Sequence, residues 1–337
     1  PNGKQCQTYK SSVCRYTRTT GIWQTVWYEI VPKDHILSAR LDTDIENGIL
    51  SISAKLCGRS DFSAEVYYKG NKVGEGIRKN QSSVAHLEIS LSEIHLWEIG
   101  KGRLYDLILH FGEDEVKTYF GMRQVEICNG KFYLNGKSIF QRLVLDQGFY
   151  HDGIWTAPTE EALVKDIECA LSAGFNGARL HQKVFEPRFL YHADKLGYMV
   201  WAEAGNWGFD HTKFENLQNF LPEWLEEMER DFSHPSVIGW CPFNETWDQN
   251  GHPQSNELLD TIYDITKAID PTRPVITSSG SFPTKRTDVH DVHDYEQDPE
   301  KFREYYSHIG EGIVNCQIKR RQPDRIWYDP AKPIFVS

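Results

Sequence analysis

The stretch His234-Pro-Ser-Val-Ile-Gly-Trp-Cys-Pro-Phe-Asn-Glu-Thr-Trp247 runs an apolar, β-forming segment straight into Asn244-Glu245, with Trp240 and Trp247 on either side. A carboxyl group at a strand end beside indole faces is expected to be partly desolvated, which raises its pKa toward the working pH of a general acid. Glycoside cleavage needs such an acid. From position alone, a surface Glu or a helix-capping carboxylate is the competing reading. Further polar residues fall where other strands should end: Asp146, Arg179, His181, Glu203, His293 and Tyr295. Arg179 offers a fixed charge and a fork of donors able to hold a carboxylate, either in a site or in a structural ion pair. His181 and His293 are candidates for hydroxyl contacts or for packing behind them, and Tyr295 for a hydrogen-bond donor. Glu203 reads as a site carboxylate or as the partner of Arg179. Trp201, Trp207 and Trp247 read as sugar platforms or as core and rim packing. His290-Asp-Val-His-Asp294 has metal-ligand residue types, but strand alternation sends His290 and His293 to opposite faces. Neither a metal nor a cofactor is expected.

Residues so far apart in sequence meet only if their strands end together. After about Val125, β-branched runs alternate with amphipathic stretches, as in parallel βα units. Strands are expected at Ile139 to Leu145, Gly177 to His181, Tyr198 to Ala202, Val237 to Phe243, Pro274 to Ser278, Val289 to His293 and Pro333 to Val336. Helices are expected at Thr159 to Ala173, with Thr159 as N-cap, at Glu186 to Leu196, stopped by Gly197, at about Leu221 to Phe232 and at Asn256 to Ile269. The turn after the first strand, Leu145-Asp-Gln-Gly-Phe149, lacks a glycine-rich phosphate fingerprint. An eight-stranded (β/α)8 TIM barrel lacking its last unit is therefore favoured over a doubly wound sheet, and its active site belongs at the C-terminal strand ends. From Ile36 to about Gln124, period-two runs such as Leu50, Ile52 and Ala54 are separated by turns like Asn47-Gly48 and Lys69-Gly70-Asn71, the pattern of a small immunoglobulin-like β-sandwich. Residues 13 to 32 also alternate bulky and polar side chains around a Thr-Gly turn, which predicts half-buried strands.

Composition narrows the partners. The 337 residues carry a net charge of -11, which argues against nucleic acid, and Lys319-Arg320-Arg321 reads as a solvated face. No apolar run approaches the roughly 20 residues of a membrane span. The seven scattered cysteines contain no CxxC pair and suggest neither a disulfide framework nor a zinc site. An aromatic content of 13% suits flat faces for sugars and equally suits large β cores. Homo-oligomerisation is compatible with these features, and both a cytoplasmic and a secreted or periplasmic location stay open.

Several segments in order resemble glycoside hydrolase family 2. Val237 to Trp247 resembles its acid/base motif, and Gly21-Ile-Trp-Gln-Thr-Val-Trp-Tyr-Glu29 the end of its sugar-binding jelly roll. Leu96-Trp97, Gly102, Leu104-Tyr105 and Phe120-Gly-Met-Arg123 resemble the closing strands of its immunoglobulin-like domain. Leu145-Asp-Gln-Gly-Phe149 with Thr156-Ala-Pro-Thr159, Gly174-Phe-Asn176 and Asp194-Lys-Leu-Gly197 resemble a β-galactosidase-like branch. The resemblance implies a jelly-roll remnant at 1–31, an immunoglobulin-like β-sandwich at 32–124 and an incomplete TIM barrel at 125–337, so the fold class is multidomain β plus α/β. It implies a retaining β-glycosidase, first of all a β-galactosidase, acting on a carbohydrate substrate by double displacement. β-Glucuronidase, β-mannosidase and a non-catalytic carbohydrate-binding fragment are the alternatives. Glu245 would be the acid/base, Asn244 would bond the sugar 2-hydroxyl and Arg179 would orient the carboxylates. The nucleophilic Glu is expected immediately after Ser337, so the sequence is expected to be an inactive piece of a longer enzyme, truncated at both ends.

Overall fold

The computed structural model describes residues 2–311, 314–316 and 328–337; the basic run Lys319-Arg320-Arg321 lies outside them. Five antiparallel strands come first: β1 (His35–Asp44), β2 (Ile49–Tyr68), β3 (Asn71–Ser90), β4 (Tyr105–Phe111) and β5 (Asp114–Phe120). The first half of β2 pairs with β1 and its second half with β4, while β3 follows it along both. Register shifts between Lys55 and Phe62 turn this long hairpin through a corner. Its two halves then face each other: a Cβ on Gly74 would lie 2.7 Å from Ile89 Cγ2. The alternating inward residues Leu50, Ile52, Ala54, Phe62, Ala64 and Val66 share one core with Leu107, Leu109 and Phe111, which makes this unit an immunoglobulin-like sandwich.

A short three-stranded sheet follows, β6 (Val125–Cys128), β7 (Lys131–Leu134) and β8 (Lys137–Ser138). Sequence reading passed over it. Val125, Phe132 and Leu134 pack with Met199, Trp201 and Ile238 at the bottom of the barrel. The barrel strands are β9 (Leu143–Asp146), β10 (Gly177–Leu180), β11 (Met199–Glu203) and β12 (Val237–Cys241), parallel and in that order. Of the helices, α1 (Glu160–Ser172) has Thr159 as its N-cap, accepting from Ala162 N, and α2 (Pro187–Leu196) ends on left-handed Gly197. Helix α3 (Leu217–Asp231) starts a turn earlier than periodicity indicated, with Pro222 inside it, and α4 (Asn256–Ile269) occupies its expected span.

The expected fifth strand is reduced to single bridges, Val275 with Trp240 and Ser279 with Asn244. β13 (His290–Val292) continues from there through the Gly280–Val292 bridge, α5 (Pro299–Tyr306) follows, and β14 (Ile334–Val336) pairs in parallel with β13. β14 and β9 do not pair, and a cavity of ≈ 1090 Å³ lined by Leu143, Leu145, Phe335 and Val336 separates them. The (β/α)8 barrel is therefore incomplete.

Interior and exterior alternate along β11: Met199 and Trp201 face the barrel interior with Ile238, whereas Val200 and Ala202 pack outward under the helices. The sandwich is fastened to the barrel through Asp194, which accepts from Tyr119 Oη at 2.9 Å and from Ser236 N at 2.8 Å.

The strands expected over residues 13 to 32 do not form. A strand needs a neighbour to take its backbone groups, and among the described residues this segment makes one bridge, Gln5 with Tyr16. Ile22, Val26, Trp27 and Ile30 are exposed. Together with residues 2–12 the segment instead lies over the barrel mouth, where Asn2 N donates to Trp207 O at 2.7 Å and Thr156 Oγ1 to Trp23 O at 2.7 Å. No helix of the described residues is long and apolar enough to cross a membrane.

Candidate active site at the barrel mouth

β12 delivers Asn244 and Glu245 just past its last paired residue, with Glu245 in a left-handed backbone conformation at φ 48°. Such conformations cost energy and gather at functional sites. Glu245 N donates to Ser279 O at 2.8 Å, which anchors the turn to the fifth barrel position. The carboxylate is 19% exposed and its Oε1 lies 2.8 Å from His293 Nδ1. His293 Nε2 is 2.9 Å from Ser279 Oγ. With Glu245 ionised, the imidazole donates from Nδ1 to the carboxylate, and its Nε2 bonds the serine hydroxyl.

The expected upward pKa shift of Glu245 is not found. Burial does push the carboxyl up, but the hydrogen bond and charge of His293, with Lys4 and His181, outweigh it and hold the group below the usual carboxylate value. The indole premise also fails on one side. Trp240 points outward into the helix layer, edge-on to Trp224, and donates Nε1 to Asp270 Oδ2 at 2.7 Å. Trp247 is 40% exposed and rests edge-on against Phe282. Of the other tryptophans, Trp201 is no sugar platform: it fills the barrel interior under Gly239 and donates to Gln141 Oε1 at 2.9 Å. Trp207 lies at the mouth, with Lys4 Nζ 4.1 Å above its ring.

A buried polar row joins the neighbouring strand ends. Arg179 Nη1 donates to Glu203 Oε2 and, at 3.3 Å, to Asn244 Oδ1. Glu203 Oε1 accepts from Gln182 N at 2.9 Å and lies 3.0 Å from His181 Nδ1. Burial raises the Glu203 carboxyl, yet the charges of Arg179 and His181 and these bonds bring it down to about 2. Glu203 is thus held as an anion against Arg179. Burial lowers the pKa of His181, against the opposing pull of Glu203. Because Arg179 occupies Asn244 Oδ1, Asn244 Nδ2 is left as a buried donor without a hydrogen-bond partner among the described residues.

Asp146 ends β9 but joins a different group. Its Oδ1 accepts from Gly148 N at 2.9 Å, and burial raises its carboxyl to about 6. Beside it, burial lowers the Lys183 ammonium to about 8 among the rings of Trp23, Trp155 and Phe185. Tyr295 is 63% exposed, with its ring edge-on to His293 at 6.4 Å. His290 turns away from His293, its Nε2 accepting from Asp329 N at 3.1 Å. Among the described residues no group of three or more His, Cys, Asp or Glu could hold a metal ion.

Sequence reasoning missed Lys4, Gln182, Asn206 and Ser279. Asn206 sits three residues beyond Glu203 on the same strand-end loop, so a wider search of strand ends would have found it. Nothing local marks Lys4, which reaches the mouth only because the N-terminal segment crosses it.

Residues 125–323 match the family description "Glycosyl hydrolases family 2, TIM barrel domain" and residues 31–123 "Glycosyl hydrolases family 2". The chain belongs to glycoside hydrolase family 2. It is 27% identical over 309 residues to a β-galactosidase of Leuconostoc mesenteroides, covering 81% of this chain and 28% of that protein. It is 25% identical over 353 residues to a β-glucuronidase of Streptococcus agalactiae, covering 94% of this chain and 56% of the relative. The family 2 chain therefore spans between about a quarter and just over half of these relatives' lengths. The fold is also that of a β-D-glucuronidase from Dictyoglomus thermophilum, with TM-score 0.70, 21% identity and coverage of 90% of this chain and 54% of the other.

Proposed function

We propose that the barrel mouth is the acid/base half of a retaining β-glycosidase site acting on terminal β-linked sugars. The supporting observation is the pairing of Glu245, tethered to His293, with Asn244, whose Nδ2 is a buried donor awaiting an acceptor. A sugar hydroxyl is such an acceptor, since buried polar groups are otherwise satisfied. Arg179 holds Asn244 Oδ1 so that Nδ2 points away from the guanidinium. Glu245 protonates the departing glycosidic oxygen and, as a carboxylate, then activates water for the second displacement.

By the family resemblance, the nucleophile is a second carboxylate at the end of β14, where Ser337 N donates to Val292 O at 2.9 Å on the strand leading to His293. A second carboxylate about 5 Å from Glu245 would raise its pKa by like-charge repulsion, offsetting the lowering by His293. β-Galactosides are the first substrate reading, in keeping with the β-galactosidase-like motifs around Asp146 and Thr156. β-Glucuronides are the second, favoured by the relative aligned over 94% of this chain.

The test is Glu245→Gln in the full-length enzyme, assayed on aryl β-galactosides, β-glucuronides and β-mannosides. The preferred sugar should emerge from the wild type, and the variant should lose about 100- to 10,000-fold on it when the leaving group is poor. An unchanged rate would reject Glu245 as the acid.

A further inference from the structure

At the end of β12, Phe243 and Glu245 both bond to Ser279: Ser279 N donates to Phe243 O at 2.9 Å and Glu245 N to Ser279 O at 2.8 Å. The N–H and C=O of the intervening Asn244 therefore point to the opposite side, where a neighbouring strand should receive them. β11 no longer does so. Its last paired residue is Glu203, and the final backbone contact, Ala204 N to Cys241 O, has stretched to 3.4 Å.

The vacated place is taken by the side chain of Asn206. Its Oδ1 accepts from Asn244 N at 3.0 Å and its Nδ2 donates to Asn244 O at 2.9 Å, the same donor and acceptor pair that a strand peptide would present. The other two bonding positions of the amide are also used: Oδ1 accepts from Gln182 Nε2, and Nδ2 donates to His211 Nε2 at 2.9 Å. Gln182 in turn accepts from Trp207 N and donates its own N–H to Glu203. Asn206 is fully buried, so bulk water does not compete for these bonds. We propose that Asn206 is a positioning residue: its carboxamide replaces the peptide unit that β11 no longer supplies and fixes Asn244 and Glu245 at the barrel mouth. The inference rests on the reading of Glu245 as the acid.

In the full-length enzyme, Asn206→Ala and Asn206→Asp are compared with wild type by kcat/KM on two aryl glycosides of the preferred sugar. The dinitrophenyl glycoside leaves without a proton, whereas the phenyl glycoside needs one. Displacing the acid should cost about 100-fold on the phenyl substrate while leaving the dinitrophenyl substrate within a few-fold of wild type. Asn206→Asp keeps the side chain's size and its acceptor for Asn244 N, and loses the Nδ2 donor to Asn244 O and to His211 Nε2. It is the deciding variant if Asn206→Ala does not fold. Equal losses on both substrates, or no loss, would overturn the positioning role. Glu245→Gln is run alongside. If it shows the leaving-group dependence and the folded Asn206 variants do not, the positioning inference alone has failed. If Glu245→Gln lacks it, the acid assignment fails and takes the inference with it.

Discussion

Glu203→Gln tests the electrostatic centre of the barrel mouth. The wild-type carboxylate is completely buried, and its anionic form is held by Arg179, His181 and the N–H of Gln182. Lowering its pKa from 4.5 to about 2 corresponds to about 3 kcal/mol, at 1.36 kcal/mol per pH unit. That agrees with the roughly 3 to 5 kcal/mol lost when a buried ion pair is broken on one side. Glutamine has the same shape and can still accept from Gln182, but its amide removes the carboxylate charge that Arg179 bonds. The pKa is depressed in the folded state, so the stabilisation is fully present above the unfolded value of about 4.5 and is lost as pH falls through about 2. Urea unfolding of the barrel, followed by tryptophan fluorescence, should place the variant about 3 kcal/mol below wild type at pH 7. The gap should narrow below pH 4.5 and nearly close by about pH 2. A difference that stayed constant across this range would mean that glutamine perturbs packing, and the charge pairing assigned to Glu203 would be refuted.

Two further outcomes follow from the same geometry. His293→Ala removes the largest influence holding Glu245 down, so burial prevails, the carboxyl pKa rises, and the alkaline limb of the kcat/KM–pH profile should move to higher pH; an unmoved limb would detach His293 from the acid. Gly239→Ala would put a Cβ 2.3 Å from Trp201 Cζ3 in the barrel interior, and the overpacking should cost about 1 to 3 kcal/mol in thermal or urea unfolding, whereas a wild-type midpoint would show that Trp201 can move aside.

The elements that periodicity and capping specify are legible in the amino-acid sequence alone. Thr159 caps α1, Gly197 ends α2, and α4 has its expected ends because local backbone chemistry fixes such features. The fifth strand and residues 13 to 32 were misread for one reason: apolar alternation reports a face able to be buried, while a strand also requires a neighbour in register. Val275 and Ser279 find only single bridges, and the N-terminal segment bonds to loops instead. The indole premise for Glu245 failed because adjacency in sequence does not fix direction. Trp240 and Gly239 sit beside a register shift in β11–β12, which sends the indole outward and leaves the glycine against the Trp201 ring.

By itself, the sequence determined the family, the order of sandwich and barrel, and the placing of Asn244-Glu245 at a strand end, since each is written in local pattern or in motifs a few residues long. Tertiary structure decided what surrounds that pair. Arg179, Glu203 and His181 become one ion-pair row, Asn206 stands in for a missing strand peptide, and Lys4 comes to lie over Trp207, across about 200 residues of chain. The physical reason is that hydrogen bonds and charges act over a few ångströms of space, and only the closing of strands around a common axis brings these side chains within that reach.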